Sequence, residues 1–386
     1  MPVDPKYSEI ETELKRLAEK GLKRALPPLE AREGPYIYLG GRRLLNLSSN
    51  DYIGLAVRIT TREVLARLSD TGFGAGAARL LSGNHALYRE VEEKLATLYG
   101  RKALVFGSGY QANVGILSAL CGRRDAIFAD KLVHASIIDG ARLSGAAFFR
   151  FPHRDYQALE DLLRRKRGQF RRVVIVSESV FSMDGDRADL SILVHLKKHF
   201  GAFLFLDEAH ALGVFGEKGL GLAEEEGLLS EVDLLLGTCG KALGSYGAFV
   251  ITDALLREYL LNKARSFIFT TALPPVVLAA TSLALDLLPT LREERLSLRR
   301  LAAWLRKELS LPPGETPIVP VILGETEKAL ILAERLYQKG FYVPAIRPPT
   351  VPENTARLRI SLNALLKPED LKALVEEMKT FLSEKS

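Results

Sequence analysis

The sequence predicts an α/β protein: a large domain with a mostly parallel sheet between helices, then a smaller C-terminal α+β domain. Three observations carry this. Short apolar runs such as Val173–Val176 and Phe203–Leu206 lack polar alternation, which suits strands buried on both faces. Helical patterns such as Tyr88–Tyr99 and Tyr110–Leu120 separate the runs. From about Ser266 that alternation stops.

In order along the chain, residues 6–26 read as an amphipathic helix with Ile10, Leu14, Leu17 and Leu22 on one side, ending at Pro27-Pro28. A short strand follows at Tyr36–Leu39. The expected sheet strands are Ala103–Phe106, Ala126–Ala129, Ala147–Phe151, Val173–Val176, Phe203–Leu206, Leu234–Gly237 and Ala248–Thr252. One long helical region covers Pro275–Leu309. Strands at Ile318–Leu323 and Arg357–Ser361 and helices at Thr326–Gln338 and Pro368–Leu382 complete the pattern. The implied organisation is an N-terminal arm (1–47), a large domain (48–287) and a small domain (288–386).

Composition narrows the function classes. With 386 residues, 47% apolar and 26% charged, the chain is long enough to bury a large core and is not disordered or fibrous. Its two cysteines, Cys121 and Cys239, form no metal-ligand cluster, so no metal is expected and a reducing, cytoplasmic setting fits. The N-terminal residues carry no signal-peptide pattern, and the apolar stretch Ala272–Leu285 is too short to span a bilayer. The net charge of +6 suits anionic small molecules or an acidic carrier protein. No basic cluster interleaved with aromatics points to nucleic acid.

Three local motifs were weighed. Gly72, Gly74 and Gly76 resemble part of a dinucleotide fingerprint, but the preceding stretch Thr61–Asp70 is helical rather than a strand. A loop that lets a ligand approach the backbone is the better reading. Asp207-Glu208-Ala209-His210 spells an NTPase box, yet no GxxxxGK[ST] phosphate loop exists anywhere, which removes the NTPase reading. Thr238-Cys239-Gly240-Lys241 ends a buried strand, where a partly desolvated lysine can form a Schiff base.

Together these residues suit pyridoxal phosphate. That cofactor needs a lysine for its aldehyde, an acid for its ring nitrogen, a flat group against the ring and donors for its phosphate. Lys241 and Asp207 follow separate strands, His134 follows a third, and Ser108-Gly109-Tyr110 lies between a strand and a helix whose N-terminus can hold a phosphate.

The chain resembles the α-oxoamine synthases, a family of fold-type I pyridoxal-phosphate-dependent transferases. The resemblance rests on Ser48–Gly54, Gly74–Asn84, Ser179–Gly185, Asp207–His210 and Thr238–Lys241. Ile346–Pro352 with Thr355–Arg359 is similar to the pimeloyl-specific members. The resemblance implies that Lys241 binds the cofactor covalently, Asp207 pairs with the pyridine nitrogen and His134 stacks on the ring. It assigns His210 and Ser182 to the phenolic oxygen, and Ser108, Gly109, Tyr110 and Thr238 to the phosphate. Thr270 and Thr271 would serve the partner subunit's phosphate, making the enzyme a homodimer. Asn50 and Arg359 would meet the amino-acid carboxylate; Arg24 or Lys23, with Arg347 and Thr350, would line the acyl channel. The implied reaction is decarboxylative condensation of L-alanine with a pimeloyl thioester, on CoA or acyl carrier protein. A glycine-using synthase is the alternative.

Overall fold

Strand order in the larger sheet follows from the apolar runs that build it. The structure is a computed structural model that describes residues 5–68 and 72–384. Its strands, in chain order, are β1 (Leu29–Glu33), β2 (Tyr36–Leu39), β3 (Arg42–Asn46), β4 (Lys102–Phe106), β5 (Asp125–Asp130), β6 (Ala147–Phe151), β7 (Arg172–Glu178), β8 (Phe203–Asp207), β9 (Leu234–Thr238), β10 (Ala248–Thr252), β11 (Ile318–Gly324), β12 (Phe341–Tyr342), β13 (Ala345–Ile346) and β14 (Ala356–Ser361). The chain divides into two units, Asn50–Arg300 and a second made of Met1–Ser49 with Leu301–Ser386.

The larger unit holds a seven-stranded sheet in the order β4-β10-β9-β8-β7-β5-β6. Strands β6, β5, β7, β8 and β9 run parallel, and β10 is antiparallel to both neighbours. Successive residues of β7 to β10 point to opposite faces, and nearly all are buried, so both faces are covered. On one face Leu104, Phe106, Ile127, Val174, Val176 and Phe205 pack with Ile116 and Leu117 of the helix Gly109–Leu120 and Ile137 of the helix Ala135–Ser144. This apolar layer leaves the carboxyl ends of the strands as the natural ligand edge.

In the second unit, β1, β2 and β3 form an antiparallel meander with β12 parallel to β3. A separate sheet has the order β11-β14-β13. The N-terminal 49 residues group with the C-terminal segment. The links are the β3–β12 pairing and the Ser361 N–H bond to the Leu47 carbonyl at 2.7 Å.

Two helix expectations need correction. The first helix covers Ser8–Glu19, not 6–26: Gly21 turns to φ +63°, and its N–H and that of Leu22 close back on Ala18 and Leu17. The expected Pro275–Leu309 helix is two, Pro275–Leu287 and Arg292–Glu308, separated by the 3₁₀ turn Leu288–Thr290 around Pro289 and bent by 77°. No single helix among the described residues is long and apolar enough to cross a membrane.

Candidate active site

A cavity of about 170 Å³ lies in the larger unit, lined by Gly109, Tyr110, Asn113, His134, Glu178, Asp207, Ala209, His210, Thr238 and Lys241. Seven of these were expected from the sequence. They converge because each follows a strand of one sheet or begins the next helix. Asp207 ends β8, Glu178 ends β7, Thr238 ends β9, and His134 precedes the helix Ala135–Ser144.

Asp207 is buried, with Oδ2 accepting from Asn113 Nδ2 at 3.0 Å and Oδ1 from the Ala209 N–H at 3.0 Å. Lys241 Nζ lies 2.8 Å from His210 Nε2, and His210 Nδ1 lies 2.6 Å from the Tyr52 hydroxyl, which donates to Asn50 Oδ1 at 3.1 Å. His134 Nδ1 sits 2.7 Å from Ser136 Oγ, and burial, only partly opposed by Asp207, lowers its pKa and keeps the ring neutral.

Gly109 opens the helix Gly109–Leu120, and Ser108 caps it by accepting from Gln111 N–H at 3.2 Å. A Cβ at Gly109 would meet Thr238 Cγ2 at 2.8 Å, so only glycine allows this approach. The loop that carries Lys241 has a similar requirement: Gly244 adopts φ +61°, and a Cβ there would lie 2.2 Å from the Ala56 nitrogen.

Pyridoxal phosphate can be tested against these groups. Thr238 Oγ1 is buried with no hydrogen-bond partner beside the helix N-terminus, as a phosphate contact requires. The buried Asp207 carboxylate suits a protonated ring nitrogen, and the amine of Lys241 lines the same space. The residues fit.

The remaining expected residues lie elsewhere. Ser182 sits in the turn after β7 and does not line the cavity; its backbone N–H favours the charged form of Glu178. Thr270 Oγ1 accepts from Gln111 Nε2 at 3.4 Å, and Thr271 bridges to Ala78. Arg359 is buried on β14 of the second unit and donates to Ser361 Oγ at 2.6 Å. In that unit a groove of about 260 Å³ is lined by Leu22, Arg24, Leu26, Arg347, Pro348 and Thr350, among others, but not by Lys23. Arg24 Nη2 donates to Thr350 Oγ1 at 2.9 Å, and Arg347 Nη1 donates to the Gly21 carbonyl. Burial and then the charge of Arg24 lower the Arg347 pKa, the mark of two cations sharing one groove.

Asn113 and Glu178 line the cavity and were missed. Glu178 is fully buried; burial, then the Asp207 charge, push it up to about 8. Its signal was available, because it follows an apolar run as Asp207 does. Asn113 lies within a helix with no comparable marker.

The family model for aminotransferase class I and II matches residues 42–378. An 8-amino-7-oxononanoate synthase from Chlorobaculum parvum is 48% identical, covering 99% of this chain and 100% of that one. A serine palmitoyltransferase structure from S. paucimobilis, with a bound PLP–myriocin aldimine, superposes with a TM-score of 0.91 at 30% identity, covering 100% of this chain and 99% of its own. The 8-amino-7-oxononanoate synthase structure from Francisella tularensis gives 0.76 at 28% identity, covering 89% and 98%. The expected fold-type I architecture is borne out. The chain belongs to the aminotransferase class I and II family and, at this identity over nearly its whole length, to its 8-amino-7-oxononanoate synthase branch.

Proposed function

We propose that this enzyme condenses L-alanine with a pimeloyl thioester, on CoA or acyl carrier protein, giving 8-amino-7-oxononanoate, CO₂ and free thiol for biotin biosynthesis in the cytoplasm. Pyridoxal 5′-phosphate is its cofactor. The observation that carries the reading is one cavity in which Lys241, the buried Asp207 and neutral His134 converge beside an unpartnered Thr238 hydroxyl.

Bound there, the cofactor supplies an aldehyde that takes up an amine and a conjugated ring that spreads carbanion charge. Lys241 Nζ would anchor it and, as a free amine, would take the proton from alanine Cα as general base. His210 Nε2, 2.8 Å from that nitrogen, orients it. Asp207 holds the proton on the ring nitrogen, and His134 presents its neutral face to the ring. Gly109 and Tyr110 N–H groups, with Thr238 Oγ1, hold the phosphate. Alanine's carboxylate leaves as CO₂ after the new carbon–carbon bond has formed.

Pimelate carries a second carboxylate, and burying it unpaired costs several kcal/mol. Arg24 and Arg347, two cations in one groove, answer that need. The functional unit in this reading is a homodimer. Phe269, next to Thr270 in sequence, is 71% exposed, and Leu81, three residues from the Ala78 that bridges to Thr271, is 80% exposed, apolar side chains that a second copy would cover.

The test is product mass from purified enzyme given alanine, glycine or serine with pimeloyl-CoA, pimeloyl carrier protein or acetyl-CoA. Alanine with a pimeloyl donor is expected to be the best pair. Faster product from glycine and acetyl-CoA would replace the reading with the glycine-using alternative.

A further inference from the structure

Behind the cavity, one histidine stands between two carboxylates, and geometry alone fixes its charge. His153, just after β6, has Nδ1 3.0 Å from Asp130 Oδ1 and Nε2 2.8 Å from Asp186 Oδ2. A neutral imidazole has one N–H and one bare lone pair, so one contact would set a lone pair against a carboxylate oxygen. Only the imidazolium satisfies both. Burial opposes the charge, yet the two carboxylates outweigh it and push His153 up to about 9.

The surrounding groups close the cluster. The Arg154 N–H donates to Asp130 Oδ2 at 2.8 Å, and its Nη1 reaches Asp186 Oδ2 at 3.3 Å. The Phe181 ring packs edge-on against the imidazole, with centroids 4.4 Å apart.

What the bridge joins is specific. Asp130 ends β5 and takes the Leu132 N–H at 2.8 Å, which sets the path of the four residues leading to His134. Asp186 closes the turn that begins at Phe181 and contains Ser182, with the Phe181 N–H on the Asp186 carbonyl at 3.0 Å. Independently, the backbone N–H groups of His134 and Ser182 both favour the charged form of Glu178 and so lower its pKa against burial. The same two segments therefore both act on Glu178, which lines the cavity, and are joined by His153, which does not line it.

We propose that His153 is a positioning residue: its charged bridge from Asp130 to Asp186 locks the His134 segment to the Ser182 turn and so sets the angle at which the His134 ring meets the cofactor. The proposal rests on the pyridoxal-phosphate reading of the cavity. It acts through His134, without touching substrate.

The test uses the holoenzyme and the visible circular dichroism of its cofactor, which senses ring orientation, together with cofactor affinity. His153→Gln removes the charge; His153→Arg retains it with donors on both sides. His153→Gln is expected to change the dichroic band and weaken cofactor binding roughly tenfold, with His153→Arg restoring most of both. Nitrogen-15 shifts of labelled histidine should show both His153 ring nitrogens protonated at pH 7.5. Should His153→Gln fail to fold, Asp186→Asn, which leaves the Asp130 contact intact, is expected to shift the band in the same sense. Unchanged dichroism and affinity in the soluble variant, or a neutral His153 at pH 7.5, overturns the proposal. A wild-type enzyme with no visible band overturns the cofactor reading instead.

Discussion

The cavity of the larger unit and the arginine groove of the second unit are built in opposite ways. Asp207, His210 and Thr238 are 6%, 5% and 9% exposed and stand at or just past the ends of packed strands. In the groove, Leu26 is 98% exposed, Arg24 and Thr350 are exposed, and its residues come from connecting segments and the two-residue β13. The cavity can hold atoms to fixed geometry because its supports are buried; the groove can vary its length and charge without disturbing the sheet. In the proposed reaction, the first would set the reaction type and the second the choice of acyl donor.

That division can be broken by substitutions on either side. Lys241→Ala should lower turnover with every donor by at least roughly 10³-fold and remove the covalent cofactor band in the absorbance spectrum; normal turnover would sink the assignment. Asp207→Asn keeps the shape but loses the charge that holds the ring proton. It should cost roughly a hundredfold in kcat with pimeloyl and acetyl donors alike, measured by steady-state kinetics. Arg24→Ala with Arg347→Ala should raise KM for the pimeloyl donor about tenfold and leave KM for alanine unchanged. An equal rise in both would erase the proposed division.

The smallest effect is a pH dependence of the cofactor-free protein. Glu178 sits at about 8 against an ordinary 4.5, so the folded state holds its proton more tightly, and stability falls as pH rises from 4.5 to 8. His153 works in the same direction: its contribution is full below 6.5 and is lost as pH rises through about 9. The melting temperature of the cofactor-free protein should therefore decline from pH 6.5 to 9. Glu178→Gln should flatten the decline below pH 8, and a slope identical to the parent's would contradict the buried-acid account.

The same contrast governs what the amino-acid sequence reveals. Strands β5, β7, β8 and β9 were legible because burial on both faces demands unbroken apolar runs, and the residues that follow them pointed straight to Asp207, Lys241 and His134. The two-residue strands β12 and β13 are too short to leave a period. The first helix was overextended because its amphipathic pattern runs past the place where Gly21 turns back. The bend near Pro289 was hidden by good helix formers on both sides. Glu178 and His153 escaped notice because their roles depend on partners distant in sequence: Asp207 lies 29 residues after Glu178, and Asp130 and Asp186 lie 23 and 33 residues either side of His153.

The antiparallel return of β10 has a kinetic consequence. Because β10 runs back beside β9, the chain needs no crossover helix there, and Lys241 lies in a short loop stitched at its base. The Cys239 N–H bonds the Gly247 carbonyl and the Ser245 N–H bonds the Cys239 carbonyl, each at 2.9 Å. A lysine so tethered stays within the cavity whether or not its amine is engaged. In the proposed reaction its amine would keep a high effective molarity over the alanine Cα, making proton removal an intramolecular step rather than an encounter. Removing the first stitch by Cys239→Pro, which deletes the N–H donor, should slow the chemical step far more than it weakens cofactor binding.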